Sequence, residues 1–205
     1  MKLIFLASVA EKSIDKLIEH LPSSPKNLKV AFVPTAATPY KDKWFVKLDR
    51  DKLEKLGFNL IDVKLESKTE KQLTKELEGI DVIFVGGGNT FYLLQEARKS
   101  GFDKIVKRLV EKGTVYIGSS AGSVLACPTI EIVRPIDDPS KAPELKSYEG
   151  LNLVDFIVLP HFGEKKFETG YEKMRPGIEK LKYKVFKIND NQAILVKGNK
   201  IEVVN

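Results

Sequence analysis

The stretch VYIGSSAGSVLA, residues 115–126, carries a G-x-S-x-G pattern over Gly118-Ser119-Ser120-Ala121-Gly122. A β-rich run enters it and a segment of small residues leaves it, which is the strand–turn–helix setting that a nucleophile elbow demands. Glycine on either side answers a steric need, because a Cβ there would clash in so sharp a turn. Ser120 is thereby expected to stand above a sheet with its Oγ exposed. The amide of Ala121, at the start of the following helix, is expected to face a developing oxyanion. A plain turn that happens to hold a serine would show the same residues, but the flanking strand and helix favour the catalytic reading.

A hydroxyl nucleophile needs a base, and the chain holds only two histidines. His20 lies in LIEHLPSS, at the end of a predicted helix, where a surface or capping role accounts for it. His161 directly follows the apolar run VDFIVLP. It is therefore expected at the carboxyl end of a strand, where ligands and reacting groups gather in open parallel sheets. VIFVGGGNTFYLL, residues 82–94, adds three glycines between a strand and an Asn-Thr helix start. The spacing matches neither the dinucleotide nor the phosphate-loop pattern. Its glycines let backbone approach something closely, and Asn89 or Thr90 can cap the helix. A second oxyanion donor or substrate contact and a simple tight turn both remain open on this stretch.

These residues need a frame, and the apolar pattern supplies one. Short apolar runs at Leu3–Ala7, Lys29–Val33, Asn59–Val63, Val82–Val85, Val115–Gly118 and Phe156–Leu159 alternate with helical periodicity at Ser13–His20, Lys43–Leu56, Glu70–Glu78, Thr90–Lys99 and Phe102–Lys112. That alternation predicts an α/β fold: a mostly parallel sheet with helices on both faces. Gly57, Gly101 and Gly113 follow three of the helices, where a left-handed residue is wanted. Lys184–Lys187, Ala193–Val196 and Ile201–Val204 read as short antiparallel strands, with a turn at Gly198-Asn199. No linker or repeat divides the 205 residues, so one domain over 1–205 is expected. The irregular stretch 134–150, RPIDDPSKAPELKSYEG, lies between the two strongest motifs, and a loop that long in a compact domain points to function.

Composition narrows the classes. A hydrophobic content of 42% with 30% charged residues describes a globular chain. The net charge of +6 rests mainly on lysine, since only Arg50, Arg98, Arg108, Arg134 and Arg175 are arginine. Segments such as EKQLTKELE intersperse both signs as solvated helix faces do, so no nucleic-acid partner is expected. The first residues, MKLIFLASVAEKS, read as a buried strand, not a leader peptide, and no run approaches the roughly 18 apolar residues of a membrane helix. A single cysteine, Cys127, leaves no internal disulfide and no metal cluster. The expectation is a cytoplasmic protein, a monomer or homodimer, with no membrane contact, metal or cofactor.

GGGNTFYLLQEARKSG, YIGSSAGSVLACPTI and LPHFGE together closely resemble peptidase E, the aspartyl dipeptidase family, to which cyanophycinase is related. The resemblance runs over most of the chain and is strongest from Asp81 to Gly163. It implies a fold similar to that of class I glutamine amidotransferases, with serine replacing their cysteine, and hydrolysis of small peptides after an N-terminal Asp. It maps the nucleophile onto Ser120, the base onto His161 and the oxyanion amides onto Ala121 and Gly88. It also implies a triad acid between the serine and the histidine. At the nearest aligned position this chain has Arg134-Pro135, so the candidates are Asp138, nearer the family spacing, then Glu131 and Asp137. Asn89 and Arg134 are the expected substrate-binding residues, Arg134 as the cation for an Asp side chain, with Arg175, Lys165 and Lys166 as further candidates. A catalytically silent ligand-binding relative, or an esterase or amidase using the same groups, is the alternative; an intact Ser120–His161 pair argues against the silent form.

Overall fold

A computed structural model describes residues 2–205. Nine strands form: β1 (Leu3–Ala7), β2 (Lys29–Val33), β3 (Asn59–Asp62), β4 (Val82–Val85), β5 (Val115–Ser119), β6 (Phe156–Leu159), β7 (Lys184–Lys187), β8 (Ala193–Lys197) and β9 (Lys200–Val204). Seven of them make one sheet in the order β3-β2-β4-β5-β1-β8-β9. The first five run parallel, while β8 lies antiparallel to β1 and β9 to β8. The carboxyl ends of β4, β5 and β1 therefore sit side by side in the middle of the sheet, where open parallel sheets bind their ligands.

The helices are α1 (Ala10–Ser13), α2 (Trp44–Lys55), α3 (Glu70–Glu76), α4 (Thr90–Ser100), α5 (Phe102–Glu111), α6 (Ala121–Leu125) and α7 (Glu168–Ile178). Side chains alternate across a strand, and β1 shows the result. Ile4 and Leu6 join a core that holds Leu73 of α3, Phe91 of α4, Phe102 of α5, Val124 of α6 and Met174 of α7. Leu3, Phe5 and Ala7 join a second core with Ile14, Leu17 and Leu53 of α2. Both faces of the sheet are covered, which is why β1 and β4 are buried at every position.

Local signals explain the ends of elements. Thr69 and Gln72 form a reciprocal capping box at the start of α3. Gly57, Gly101 and Gly113 take φ of 91°, 76° and 106° at the helix ends where the sequence placed them. Three elements depart from the sequence reading. Ser13–His20 is not one α-helix: α1 is a single turn followed by 3-10 geometry over Ile14–His20. Lys184–Lys187 is not an antiparallel tail strand but pairs parallel with β6 in a separate two-stranded sheet. And α7 forms despite Gly170, Pro176 and Gly177, which mask its periodicity; Gly170 is required because a Cβ there would stand 2.2 Å from Ile136 Cγ2.

Candidate active site

The elbow is built by close approach. A Cβ on Gly118 would lie 2.6 Å from the Gly122 carbonyl, and one on Gly122 would lie 2.0 Å from the Val85 oxygen of β4. No other residue type lets β4, β5 and α6 meet so tightly. Ser120 between them holds φ 50° and ψ −108°, a strained conformation for a residue with a side chain. The surrounding bonds enforce it: Ser120 N donates to Ala7 O at 3.0 Å, and Ser123 Oγ donates to the same oxygen at 2.7 Å.

His161 also has a positive φ, 63°. Pairing of β6 with β7 continues past both strands, with Ile188 N on Leu159 O and Phe162 N on Ile188 O, each at 3.0 Å. This parallel extension sets His161, just past β6, beside Asp190, just past β7. His161 Nε2 lies 2.8 Å from Ser120 Oγ, and its Nδ1 lies 2.6 Å from Asp190 Oδ1. The ring stacks on Phe167 at 4.6 Å and 16°, and Tyr171 of α7 donates its hydroxyl to the Pro160 carbonyl just before it. Both His161 and Asp190 side chains are only 12% exposed. Burial, the largest influence, lowers the imidazole pKa, while the bond to Asp190 and its charge pull it back up. A hydroxyl, an imidazole and a carboxylate joined in this order can deprotonate the hydroxyl and hold the resulting imidazolium.

Ser120 and His161, the expected pair, are thus in contact, and the carboxylate on the far ring nitrogen is Asp190, which was not among the expected residues. Asp138 is exposed and caps the turn at Pro139–Lys141, its carboxylate accepting from Ser140 N and Ser140 Oγ. Glu131 is exposed on the 3-10 turn after α6. Asp137 accepts from Thr90 N at 2.8 Å and so anchors the long loop to α4. The acid was expected on the segment leaving the elbow, but the histidine's far nitrogen faces the β7–β8 turn, which carries Asp190. Reading Lys184–Lys187 and Ala193–Val196 as antiparallel tail strands gives Asp190, which lies between them, no place beside His161. Its register with His161 is invisible unless β7 is paired with β6.

The expected substrate residues are engaged in other contacts. Asn89 is fully buried; its Oδ1 accepts from Tyr92 N and its Nδ2 donates to Asp138 O, both at 2.9 Å. Its amide is consumed in capping α4 and holding the loop. The Arg134 guanidinium lies over the Tyr148 ring at 5.5 Å, and among the described residues no hydrogen bond or ion pair joins it to Ser120 or His161. Arg175 pairs with Glu179 on α7. The cation beside the triad is Lys12, 4.0 Å from Asp190 Oδ2. Lys166 stands near enough to His161 for its charge to lower the imidazole pKa.

Gly88, with φ 141°, packs so that a Cβ would sit 2.1 Å from Ala36 O. Gly88 N and Ala121 N have no acceptor among the described residues. The neighbouring Gly87 faces the nucleophile, and a Cβ there would lie 3.3 Å from Ser120 Cβ. Sequence reasoning passed over Ser8, whose hydroxyl accepts from His161 N at 2.7 Å. It also passed over Asp49, a buried carboxyl of α2 that accepts from Glu11 N at 3.1 Å. Burial pushes the Asp49 pKa up to about 7. Cys127 is no rival nucleophile, since burial pushes its thiol up to about 12.

Among the described residues no helix is long and apolar enough to cross a membrane. A peptidase of Listeria innocua, named as uncharacterized, is 35% identical over 201 residues, covering 98% of this chain and 95% of that one. The peptidase E of Escherichia coli is 41% identical over 88 residues, 42% of this chain and 36% of its own. A crystal structure of a peptidase E candidate from Listeria monocytogenes superposes with a TM-score of 0.91 at 32% identity, covering 100% of this chain and 98% of the other. The family model described as peptidase family S51 matches residues 4–204. The chain belongs to peptidase family S51, and it is a serine-type peptidase.

Proposed function

We propose that the chain hydrolyses dipeptides or short peptides through a Ser120–His161–Asp190 triad. The observation that carries this reading is the unbroken contact from Ser120 Oγ to His161 Nε2 at 2.8 Å and from His161 Nδ1 to Asp190 Oδ1 at 2.6 Å. Ser120 Oγ attacks the scissile carbonyl carbon while His161 Nε2 takes its proton. Asp190 holds the Nδ1–H tautomer and offsets the imidazolium charge. The carbonyl oxygen becomes an oxyanion that accepts from the Ala121 and Gly88 amides. Collapse breaks the C–N bond, and His161 passes its proton to the departing amine. Water, deprotonated by the same ring, then releases the acyl group from Ser120.

Asp-X peptides are the first substrates to try, because the family resemblance implies cleavage after an N-terminal Asp. The test is a panel of Asp-X, Glu-X and neutral dipeptides with acetylated counterparts, run on the native protein and on Ser120→Ala. The variant should fold normally and lose turnover by about 10³-fold or more. A variant that keeps more than about a tenth of the native rate removes Ser120 as nucleophile. Ester turnover with no peptide turnover would replace the peptidase reading by an esterase.

A further inference from the structure

Tyr40, Trp44 and Phe45 stand together at the rim of the site. Trp44 and Phe45 open α2 with ring centroids 5.9 Å apart at 86°, and Phe45 meets Tyr40 at 6.3 Å and 84°. Trp44 is 58% exposed and Tyr40 39%. Leu48, one helical turn beyond Trp44, is also exposed, so residues 40–48 hold three of the eight large exposed hydrophobics among the described residues. Single exposed apolar side chains are ordinary. A contiguous group of them marks a surface that covers something.

What it covers follows from Gly87. The position its Cβ would take lies 3.3 Å from Ser120 Cβ and 3.9 Å from Phe45 Cδ2. One glycine thus touches both the nucleophile and the aromatic row, which puts the Phe45 ring within reach of a group bound at Ser120. The row closes at the other end, where the Tyr40 hydroxyl lies beside Asn89 with Asp137 and Asp138 near. Arg50 of α2 is engaged elsewhere: it pairs with Asp62 and Glu54 and lies over Phe32.

Resting on the assignment of Ser120 as nucleophile, we propose that Tyr40, Trp44 and Phe45 form a substrate subsite for an apolar or aromatic side chain on the residue adjoining the scissile bond. The favoured substrates are then short peptides with Phe or Leu at that position. Removing such a side chain from water against three rings is the discriminating interaction, and truncating it to a methyl group should cost about 10- to 100-fold in kcat/KM.

Trp44 is the only tryptophan of the chain, so its fluorescence reports the subsite without turnover. Ser120→Ala protein is titrated with Phe-Ala, Leu-Ala, Ala-Phe, Ala-Leu, Asp-Ala and Ala-Ala, and the native protein is assayed on the same six. At least one Phe or Leu peptide should shift Trp44 emission saturably where Ala-Ala does not. Its kcat/KM should exceed that of Ala-Ala by about 10- to 100-fold. Trp44→Ala should collapse this ratio toward one, and Tyr183→Ala, an exposed aromatic elsewhere, should leave it unchanged. Hydrolysis with a ratio near one, or preference for Asp-Ala with no Trp44 response, overturns the subsite. A Trp44 response without any hydrolysis supports the subsite and sinks the catalytic reading instead. Silence in both overturns both.

Discussion

The hydroxyl of Ser8 donates to Asp190 Oδ1 at 2.9 Å, the same oxygen that meets His161 Nδ1 at 2.6 Å. Ser8 also accepts from the His161 backbone amide, so one fully buried residue at the end of β1 fixes both partners. Ser8→Ala removes both bonds while leaving Ser120 in place. Turnover should fall by up to about 10²-fold through loss of alignment, with KM little changed. A fall in KM-dependent terms alone would argue for a substrate contact rather than positioning.

Asp190→Asn keeps the shape of the acid and removes its charge. It should cost up to about 10⁴-fold in kcat, as expected when the wrong imidazole tautomer is held. Asp138→Asn and Glu131→Gln should stay near the native rate, because Asp138 serves the Ser140 turn and Glu131 faces solvent. Equal rates for all three variants would leave Ser120 and His161 acting as a dyad.

The pH profile has a fixed sign. Burial disfavours the imidazolium of His161, so the ring stays neutral, and able to accept a proton, below the ordinary imidazole value of about 6.5. The acid limb of kcat/KM should therefore have its midpoint below that value. In Asp190→Asn the residual activity should show a still lower midpoint, since the carboxylate that raises the pKa is gone. A limb centred above 6.5 would contradict the burial argument.

Asp49 makes a separate prediction about stability. Its folded pKa of about 7 lies above the ordinary carboxyl value of 3.8, so the folded state holds the proton more tightly. Stability should fall as pH rises between those values, and the full cost of the buried charge is present above about 7. Asp49→Asn retains an oxygen for the Glu11 amide and carries no charge. Thermal unfolding at pH 8 should show the variant gaining at least about 2–4 °C, equivalent to about 1 kcal/mol, and the gain should vanish near pH 4.

What could be read in advance was whatever is local. Ser120 announces itself through a five-residue pattern whose glycines are dictated by 2.0–2.6 Å contacts, and the parallel strands through unbroken apolar runs. His161 followed from being one of two histidines and lying past a strand. Asp190 and Ser8 carry no local mark. Their positions depend on β6–β7 register and on the β1–β5 pairing, the second of which joins residues more than a hundred positions apart, as Ile4 with Tyr116. Asn89 misled for the opposite reason: its type suits a binding site, but helix capping had already used its amide.

Pairing of β6 with β7 has a consequence for synthesis. The four groups Ser8, Ser120, His161 and Asp190 leave the ribosome in that order, and the carboxylate comes last, just ahead of β8, which must still lie against β1. A growing chain has its hydroxyl and its imidazole before the carboxylate that meets the ring's far nitrogen has been made. If the proposed triad is the working one, the hydroxyl–imidazole–carboxylate chain cannot close until the last of the central strands has been made and laid against β1.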